Sequence, residues 1–274
     1  MLQTSRYAVV TLAVGEKYRR LLSFLWSPLH GYAKKCGADL IVCDEAPDQK
    51  FRRSLLSQKL LLPNRYSSYD WIFFVDLDVL ISNIAPSVFD CVDESFAFSA
   101  VVDNRESAGF KNTALHVWRR PDILEETHRS YFTSRGFQDS ELLHGSINGG
   151  AFLCRPSVIG KLFEDAYWSD LPETSHEEAI AAYVSQTNRL FKPLDDRFNS
   201  QVLHALSADE PEFARYFAHG YHFKVLKRLH SIIPPAMLRP LYPRVYTRVV
   251  AEKLRENYIL HFAGNYPFLG LAND

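Results

Sequence analysis

The side chains best placed for chemistry in this sequence are two aspartates separated by one residue. Asp76 and Asp78 follow the apolar run 71-WIFFV-75, with only Leu77 between them. Residues i and i+2 of an extended strand face the same side, so both carboxylates can converge on one point. Two carboxylates held that close repel each other unless a cation lies between them. The spacing therefore predicts a divalent-cation site. Oxygen ligands favour manganese or magnesium, whose coordination is commonly completed by substrate phosphates.

A structural role is the alternative for this pair, because aspartates at a strand end also accept hydrogen bonds from backbone amides. Among enzymes, the pattern fits two classes. Residues 76–80, DLDVL, match the DxDx(T/V)L signature of haloacid-dehalogenase-like phosphatases, and the acidic strand end also resembles the DxD of GT-A nucleotide-sugar glycosyltransferases. In the phosphatases that strand usually opens the fold, whereas here several predicted elements precede it. Asp195 and Asp196 could supply the phosphatases' second metal motif, although no glycine precedes them.

Strands and helices are predicted to alternate through the N-terminal part of the chain. Apolar and β-branched runs indicate strands, and apolar residues at helical spacing indicate helices. The predicted strands are 7–14, 38–43, 71–82, 95–102 and 147–153, and the predicted helices are 17–36, 54–64 and 176–187. Such alternation is typical of an α/β fold with a mostly parallel sheet flanked by helices. Ligands bind these sheets at the carboxyl ends of the strands.

Composition favours one large domain. The chain has 274 residues, 47% of them hydrophobic, and no linker rich in glycine and serine divides it. We expect a nucleotide-binding half at 1–104 and an acceptor-binding half at 105–274. A net charge of -1 gives no overall attraction to nucleic acid. The sequence shows no leader peptide and no apolar run of membrane-spanning length, which predicts a cytoplasmic protein, and its 4 cysteines are expected to be buried free thiols.

Several short motifs, taken in order, resemble the retaining glycosyltransferases of family 8, which are GT-A enzymes. These motifs are 9-VVTLAVGEKY-18, Lys59, 70-DWIFFVDLDVLIS-82, 98-FSAVVDN-104, 147-INGGAF-152 and 259-ILHFAGN-265. The resemblance implies a GT-A, Rossmann-like fold. It also implies transfer of a hexose from a nucleotide-diphosphate sugar, with uridine the expected nucleoside, to a glycan or glycolipid acceptor with retention of configuration.

The resemblance also assigns residues to the site. Asp76, Asp78 and His261 would hold Mn²⁺ or Mg²⁺, which stabilises the charge on a departing diphosphate. The donor-binding residues that it implies are Thr11, Ala13, Tyr18, Lys59, Asp76, Asp103, Asn148, Gly149, Gly150 and Gly264. Each of these residues could instead have a purely structural role: His261 could be a core histidine, Lys59 a solvated lysine, and 148–150 a plain turn.

Glu177 is the residue predicted to act at the reacting carbon. The family often carries Asp-Gln-Asp at this helix start, where this chain has His176, Glu177 and Glu178. A glutamate here could act as a nucleophile or stabilise an oxocarbenium-like transition state. The alternative is a capping box formed by Ser175 and Glu178, with Glu177 merely favouring the helix N-terminus.

One departure from the family lies in the closing segment. The family continues to a lysine and a proline that bind the diphosphate, whereas Gly264 is followed here by 265-NYPF-268. Diphosphate binding would then depend on Lys59, the metal or an arginine elsewhere. A catalytically silent protein that binds sugars or nucleotides is therefore a third hypothesis.

The segment 223–255 is basic and rich in aromatic residues. Its only acidic residue is Glu252. The lysines and arginines are Lys224, Lys227, Arg228, Arg239, Arg244, Arg248, Lys253 and Arg255. This mixture predicts peripheral contact with an anionic membrane surface or with a phosphate-bearing lipid acceptor. A solvated basic face over ordinary core helices is the alternative.

Overall fold

The computed structural model describes residues 6–172, 176–230, 233 and 235–263. The chain packs into two compact units that interleave along the sequence. Unit 1 comprises Met1–Leu77, Pro86–Asp103 and Glu126–Asp196, and unit 2 comprises Asp78–Ala85, Asn104–Glu125 and Arg197–Asp274. Each unit has its own sheet.

Strands and helices alternate as the sequence predicts. The strands are β1 (Tyr7–Leu12), β2 (Asp39–Cys43), β3 (Trp71–Val75), β4 (Val79–Ile81), β5 (Phe98–Val102), β6 (Ile147–Cys154), β7 (Phe191–Pro193), β8 (Ser200–Gln201) and β9 (Ile259–His261). The helices are α1 (Glu16–Lys35), α2 (Leu62–Arg65), α3 (Ala108–Asn112), α4 (His128–Thr133), α5 (Pro156–Trp168), α6 (Glu178–Thr187), α7 (Val202–Asp209), α8 (Pro211–His219), α9 (Tyr221–His230), α10 (Pro235–Leu238) and α11 (Arg244–Glu256). Short 3-10 helices span Ser57–Leu61, Val88–Cys91, Pro121–Glu125, Asp196–Phe198 and Arg239–Leu241, and Thr113–Trp118 is a π-helix.

Unit 1 is built on a mixed six-stranded sheet with the order β2-β1-β3-β6-β5-β7. The pairs β1–β2, β1–β3 and β5–β7 are parallel, whereas β6 runs antiparallel to both β3 and β5. Every residue of β3 and β6 is buried. Continuous burial explains why these strands are apolar runs, since helices cover both faces of such a sheet. The predicted α/β class is confirmed.

The strand register determines which residues meet at the edge of this sheet. β1 and β3 are parallel, so their carboxyl ends lie at the same edge. The antiparallel strand β6 begins at that edge, where Ala151 pairs with Val75. The backbone N–H of Asp76 donates to the carbonyl of Gly150, at 2.8 Å. The Asn148–Gly150 segment of β6 and the first aspartate are thus neighbours through backbone pairing.

Unit 2 contains a small sheet with the order β4-β9-β8. β9 pairs antiparallel with β4 and parallel with β8, which places His261 opposite Val79 and Gln201. Helix α3 packs closely on α7, and a Cβ at Gly109 would lie 2.4 Å from the carbonyl oxygen of His204. Only glycine allows this approach.

The structure corrects three details of the sequence analysis. The predicted strand 71–82 is broken: β3 ends at Val75 and β4 begins at Val79, with Asp76–Asp78 in the irregular connection. The predicted helix 54–64 is a 3-10 helix followed by the single turn α2, because Pro63 suits a helix start and not an interior. All four cysteines are free, but Cys91 is exposed.

Candidate functional site

Asp78 and His261 are paired by the small sheet of unit 2. Nε2 of His261 lies 3.3 Å from Oδ1 of Asp78. The backbone N–H of Phe262 also donates to the carbonyl oxygen of Asp78, at 2.8 Å. Because Asp78 directly precedes β4 and His261 ends β9, the β4–β9 pairing holds these two side chains together. His261 is buried, yet the alternative of an ordinary core histidine does not account for its carboxylate neighbour.

Asp76 joins this pair through the short connection between β3 and β4. One ligand atom from each of Asp76, Asp78 and His261 lies within 4.8 Å of the others. In the part of the chain that the structure describes, no other group of three or more histidine, cysteine, aspartate or glutamate side chains is close enough to share a metal. Two carboxylates and an imidazole form a ligand set suited to manganese or magnesium when substrate oxygens complete it. The residues present therefore fit the predicted cation.

Lys59 is a buried cation next to the first aspartate. It lies in the 3-10 helix Ser57–Leu61, and 4% of it is exposed. Its Nζ is 2.8 Å from Oδ2 of Asp76, 2.9 Å from Oε1 of Glu177 and 3.4 Å from the carbonyl oxygen of Gly149. Burial lowers the pKa of Lys59, but Asp76 and Glu177 raise it by more, so it lies above its ordinary value. Lys59 is a fixed ammonium and not a solvated lysine.

Glu177 brings a second carboxylate to Lys59. Only 2% of this residue is exposed, and it lies directly before α6 without capping that helix. Its Oε1 is paired with Lys59, whereas its buried Oε2 has no hydrogen-bond partner among the described residues. An unpartnered buried carboxylate oxygen is costly and usually marks a place that another group completes.

Gly149 makes room for this carboxylate. A Cβ at position 149 would lie 2.2 Å from Oε1 of Glu177 and 2.9 Å from Cγ of Glu178. A side chain at this position would therefore collide with both glutamates, one of which is fixed by a buried ion pair. The alternative of a plain turn at 148–150 is wrong, because these residues lie in strand β6. The missing Cβ of Gly149 leaves the space that Oε1 of Glu177 occupies.

Glu178 is the site residue that the sequence analysis missed. Its Oε1 accepts a hydrogen bond from the backbone N–H of Gly149, at 2.9 Å. Ser175, its expected partner in a capping box, lies outside the described residues. Burial, followed by the carboxylates of Glu177 and Asp103, raises the pKa of Glu178 to about 8. No sequence signal gives this contact, because a glutamate in the first turn of a helix is common for local reasons.

The other predicted donor-binding residues in unit 1 lie along the same sheet. Asp103 follows β5, and its backbone N–H donates to Ser146 at 3.0 Å. Asn148 is buried, and its Oδ1 accepts from the N–H of Gly150 at 3.0 Å. Gly264 lies outside the described residues.

Three predicted donor contacts belong to the N-terminal motif. Thr11 is fully buried in β1, and its Oγ1 has no hydrogen-bond partner among the described residues. Ala13 is buried after β1 and donates to Cys43 at 2.7 Å. Tyr18 is half-buried in the first turn of α1, with the Lys17 ammonium 5.1 Å from its ring centroid.

Comparisons of sequence identify no relatives. No protein-family model matches the chain, and no curated protein does. Solved structures do match it. A glycosyltransferase involved in glycosylation of the major capsid of PBCV-1 is 10% identical, with a TM-score of 0.50 over 94% of this chain and 93% of that one. The galactosyltransferase LgtC, solved with donor and acceptor sugar analogues, is 12% identical, with a TM-score of 0.50 over 94% of this chain and 87% of that one.

A third match is the apo structure of the bifunctional glycosyltransferase WbbM. It is 13% identical, with a TM-score of 0.53 over 96% of this chain, which spans 47% of WbbM. The chain has a GT-A glycosyltransferase fold. The fold implied by the sequence motifs is confirmed, and at these identities the reaction must be argued from the site.

The GT-A fold removes the structural basis of the phosphatase alternative. The strand that leads to the acidic pair, β3, is preceded by β1 and β2 and does not open the fold. Asp195 and Asp196, the candidates for a second phosphatase metal motif, are exposed and lie outside the described group of metal ligands.

Proposed function

We propose that this protein is a metal-dependent glycosyltransferase that moves a hexose from a nucleotide-diphosphate sugar to a glycan or glycolipid acceptor. The observation that carries the proposal is the group formed by Asp76, Asp78 and His261 on a GT-A fold. The acidic pair follows the carboxyl end of a parallel strand, the edge at which such sheets bind ligands. A uridine nucleotide and retention of configuration are the finer parts of the proposal.

The metal site and Lys59 share the task of neutralising the leaving group. Asp76, Asp78 and His261 would hold Mn²⁺ or Mg²⁺, which when bound stabilises negative charge on a departing diphosphate. Lys59 is protonated at all physiological pH values because Asp76 and Glu177 raise its pKa. Its fixed ammonium adds positive charge in a dry place, where electrostatic interactions are stronger than in water. This supports diphosphate binding without the lysine that the closing segment lacks.

Glu177 is the proposed catalytic residue. Its pairing with Lys59 keeps the carboxylate in place, and the buried Oε2 is left for the ligand. A carboxylate so placed can form a covalent glycosyl intermediate or stabilise an oxocarbenium-like transition state, either of which is compatible with retention. Asp103 and Asn148 are proposed to bind donor-sugar hydroxyls, since both offer oxygen acceptors near β6.

Calorimetry with a panel of nucleotides tests the proposal. We expect uridine diphosphate to bind in the presence of Mn²⁺, not to bind in EDTA, and not to bind to the Asp78→Ala variant. Asp90→Ala is the matched control, because Asp90 is exposed in the 3-10 helix Val88–Cys91. Binding that is indifferent to both metal and Asp78 would contradict a metal-dependent donor site.

Hydrolysis of nucleotide sugars then separates an enzyme from a silent binding protein. A transferase is expected to release sugar slowly to water from its correct donor, and Glu177→Gln should abolish this release while leaving nucleotide binding intact. Metal-dependent binding without turnover of any donor would favour the silent protein. Full activity in Glu177→Gln would remove the nucleophile role.

The basic segment supports a second, finer proposal, that the protein contacts an anionic membrane surface. The structure contains no helix, among the residues it describes, that is long and apolar enough to cross a membrane. Segment 223–255 carries one acidic residue, Glu252. Met237 in this segment is 70% exposed, and Tyr216 and Tyr221, which precede the segment, are 68% and 82% exposed. Exposed basic and apolar side chains together suit the anionic cytoplasmic leaflet and a lipid-linked acceptor.

Liposome co-sedimentation tests this contact. At low salt we expect more protein to bind vesicles containing phosphatidylglycerol than vesicles of phosphatidylcholine, and Lys224→Glu to reduce binding. Lys34→Glu, at an exposed position in the last turn of α1, is the control. Equal binding to both kinds of vesicle would contradict the membrane proposal and leave the transferase proposal untouched.

A further inference from the structure

Glu178 makes a hydrogen bond that its own helix does not need. It is the first residue of α6, yet its Oε1 accepts from the backbone N–H of Gly149 in β6, at 2.9 Å. The contact joins residues that lie 29 positions apart. A carboxyl group used in this way organises the strand that it touches and not the helix that carries it.

The backbone segment that Glu178 binds also contacts two other residues of the site. The carbonyl oxygen of Gly149 is 3.4 Å from Nζ of Lys59, and the carbonyl oxygen of Gly150 accepts from the N–H of Asp76 at 2.8 Å. A shift of this short segment would therefore move the surroundings of the buried cation and of a metal ligand together.

The glutamates are also packed against Gly149. The missing Cβ of Gly149 leaves space occupied by Oε1 of Glu177 and by Cγ of Glu178. Gly149 is thus enclosed by both side chains and hydrogen-bonded by one of them. Glu178 fixes the position of the strand relative to the carboxylate proposed to act on the sugar.

The charges around Glu178 allow it to keep this contact in either protonation state. Burial and the carboxylates of Glu177 and Asp103 raise the pKa of Glu178 to about 8, against the opposing effects of the Gly149 N–H and Lys59. A protonated carboxyl group retains an acceptor oxygen for the Gly149 N–H, and an ionised one has two. Protonation also limits the negative charge beside Glu177.

We propose that Glu178 is a positioning residue for glycosyl transfer, whose carboxyl group holds the Gly149 peptide in place between Lys59 and Glu177. The role of Glu178 in glycosyl transfer rests on the proposed function of the protein. The hold on Gly149 itself can be measured without any activity.

The Gly149 amide can be observed singly by NMR. Asn148–Gly149 is the one Asn–Gly pair in the sequence, so carbonyl-¹³C asparagine combined with ¹⁵N glycine labels one peptide bond. In the wild-type protein we expect this resonance to titrate near the Glu178 pKa of about 8. In Glu178→Gln, which keeps an acceptor oxygen but cannot titrate, we expect the resonance to stay constant from pH 6 to 10.

Glu164→Gln is the matched control, because Glu164 accepts a side-chain hydrogen bond from Asn64 at 2.8 Å in the same unit. Its Gly149 resonance should titrate as in the wild type. A Gly149 resonance that is constant in the wild type, or that titrates equally in Glu178→Gln, would overturn the proposal.

Kinetics of donor hydrolysis test the role in transfer. Glu178→Ala should lower kcat by about tenfold, the effect of losing one well-made hydrogen bond, with a smaller change in KM. Glu178→Gln should restore most of the loss. Normal kcat in Glu178→Ala would overturn the positioning role. A wild-type protein that binds no uridine diphosphate with Mn²⁺ overturns the proposed function instead, and the Gly149 titration would still report the contact.

Discussion

Two charged pairs of the candidate site differ in how much water reaches them. Lys59 and Glu177 are a dry pair, with side chains 4% and 3% exposed. Asp78 and His261 are a wetter pair, because 32% of the Asp78 side chain is exposed although His261 is nearly buried. Charges removed from water must satisfy each other in the folded protein, whereas a partly exposed carboxylate can exchange water for a ligand. The dry pair is suited to a fixed charge and the wetter pair to binding a cation.

Removing the cation of the dry pair is expected to have the largest effect. Lys59→Met leaves Asp76 and Glu177 without their buried partner, which should lower the free energy of unfolding by roughly 3–5 kcal/mol. Urea denaturation measures the change. Lys161→Met is the control, since Lys161 pairs with Asp165 on the surface, and it should be nearly neutral. Equal losses in the two variants would show that burial of Lys59 carries no special cost.

Filling the space at Gly149, next to the dry pair, should lower the free energy of unfolding by an intermediate amount. Gly149→Ala places a Cβ against Oε1 of Glu177 and should cost about 1–3 kcal/mol of unfolding free energy through overpacking. Gly31→Ala is a matched control in α1, where nothing lies within 4 Å of the added carbon. That variant should be stabilised by about 0.5–1 kcal/mol, because alanine favours the helix. A neutral Gly149→Ala would mean that Glu177 moves freely.

Changing the wetter pair should affect stability least while abolishing cation binding. Asp78→Asn keeps the shape of the side chain, so unfolding free energy should change by less than about 1 kcal/mol. Mutation of a residue that only hydrogen-bonds a metal ligand lowers metal affinity by roughly 10–100-fold. Asp78 is itself a proposed ligand, so the affinity for manganese should fall by more than that. Electron paramagnetic resonance of free Mn²⁺ measures this, with Asp90→Asn as the control. A large loss of unfolding free energy in Asp78→Asn would contradict this prediction and would indicate a structural role for Asp78.

The sequence predicts much of the sheet and the acidic half of the site. β1, α1, β2 and β6 are found within a few residues of their predicted bounds, because apolar periodicity and β-branched runs are local signals. The resemblance to family 8 also led to His261 and Lys59, whose neighbours in the sequence indicate nothing of their partners. The sequence does not predict the break between β3 and β4, because the alternation of polar and apolar residues at Asp76–Asp78 is compatible with a continuous strand.

Sequence alone determined that two carboxylates follow a buried strand, and that the chain alternates strands with helices, because both facts depend on residues close together along the chain. Tertiary structure decided which distant residues complete the site. His261 reaches Asp78 through the pairing of β9 with β4, and Glu178 reaches Gly149 because α6 begins beside β6. These contacts depend on strand register and helix placement, which global packing determines and which no local pattern of residues encodes.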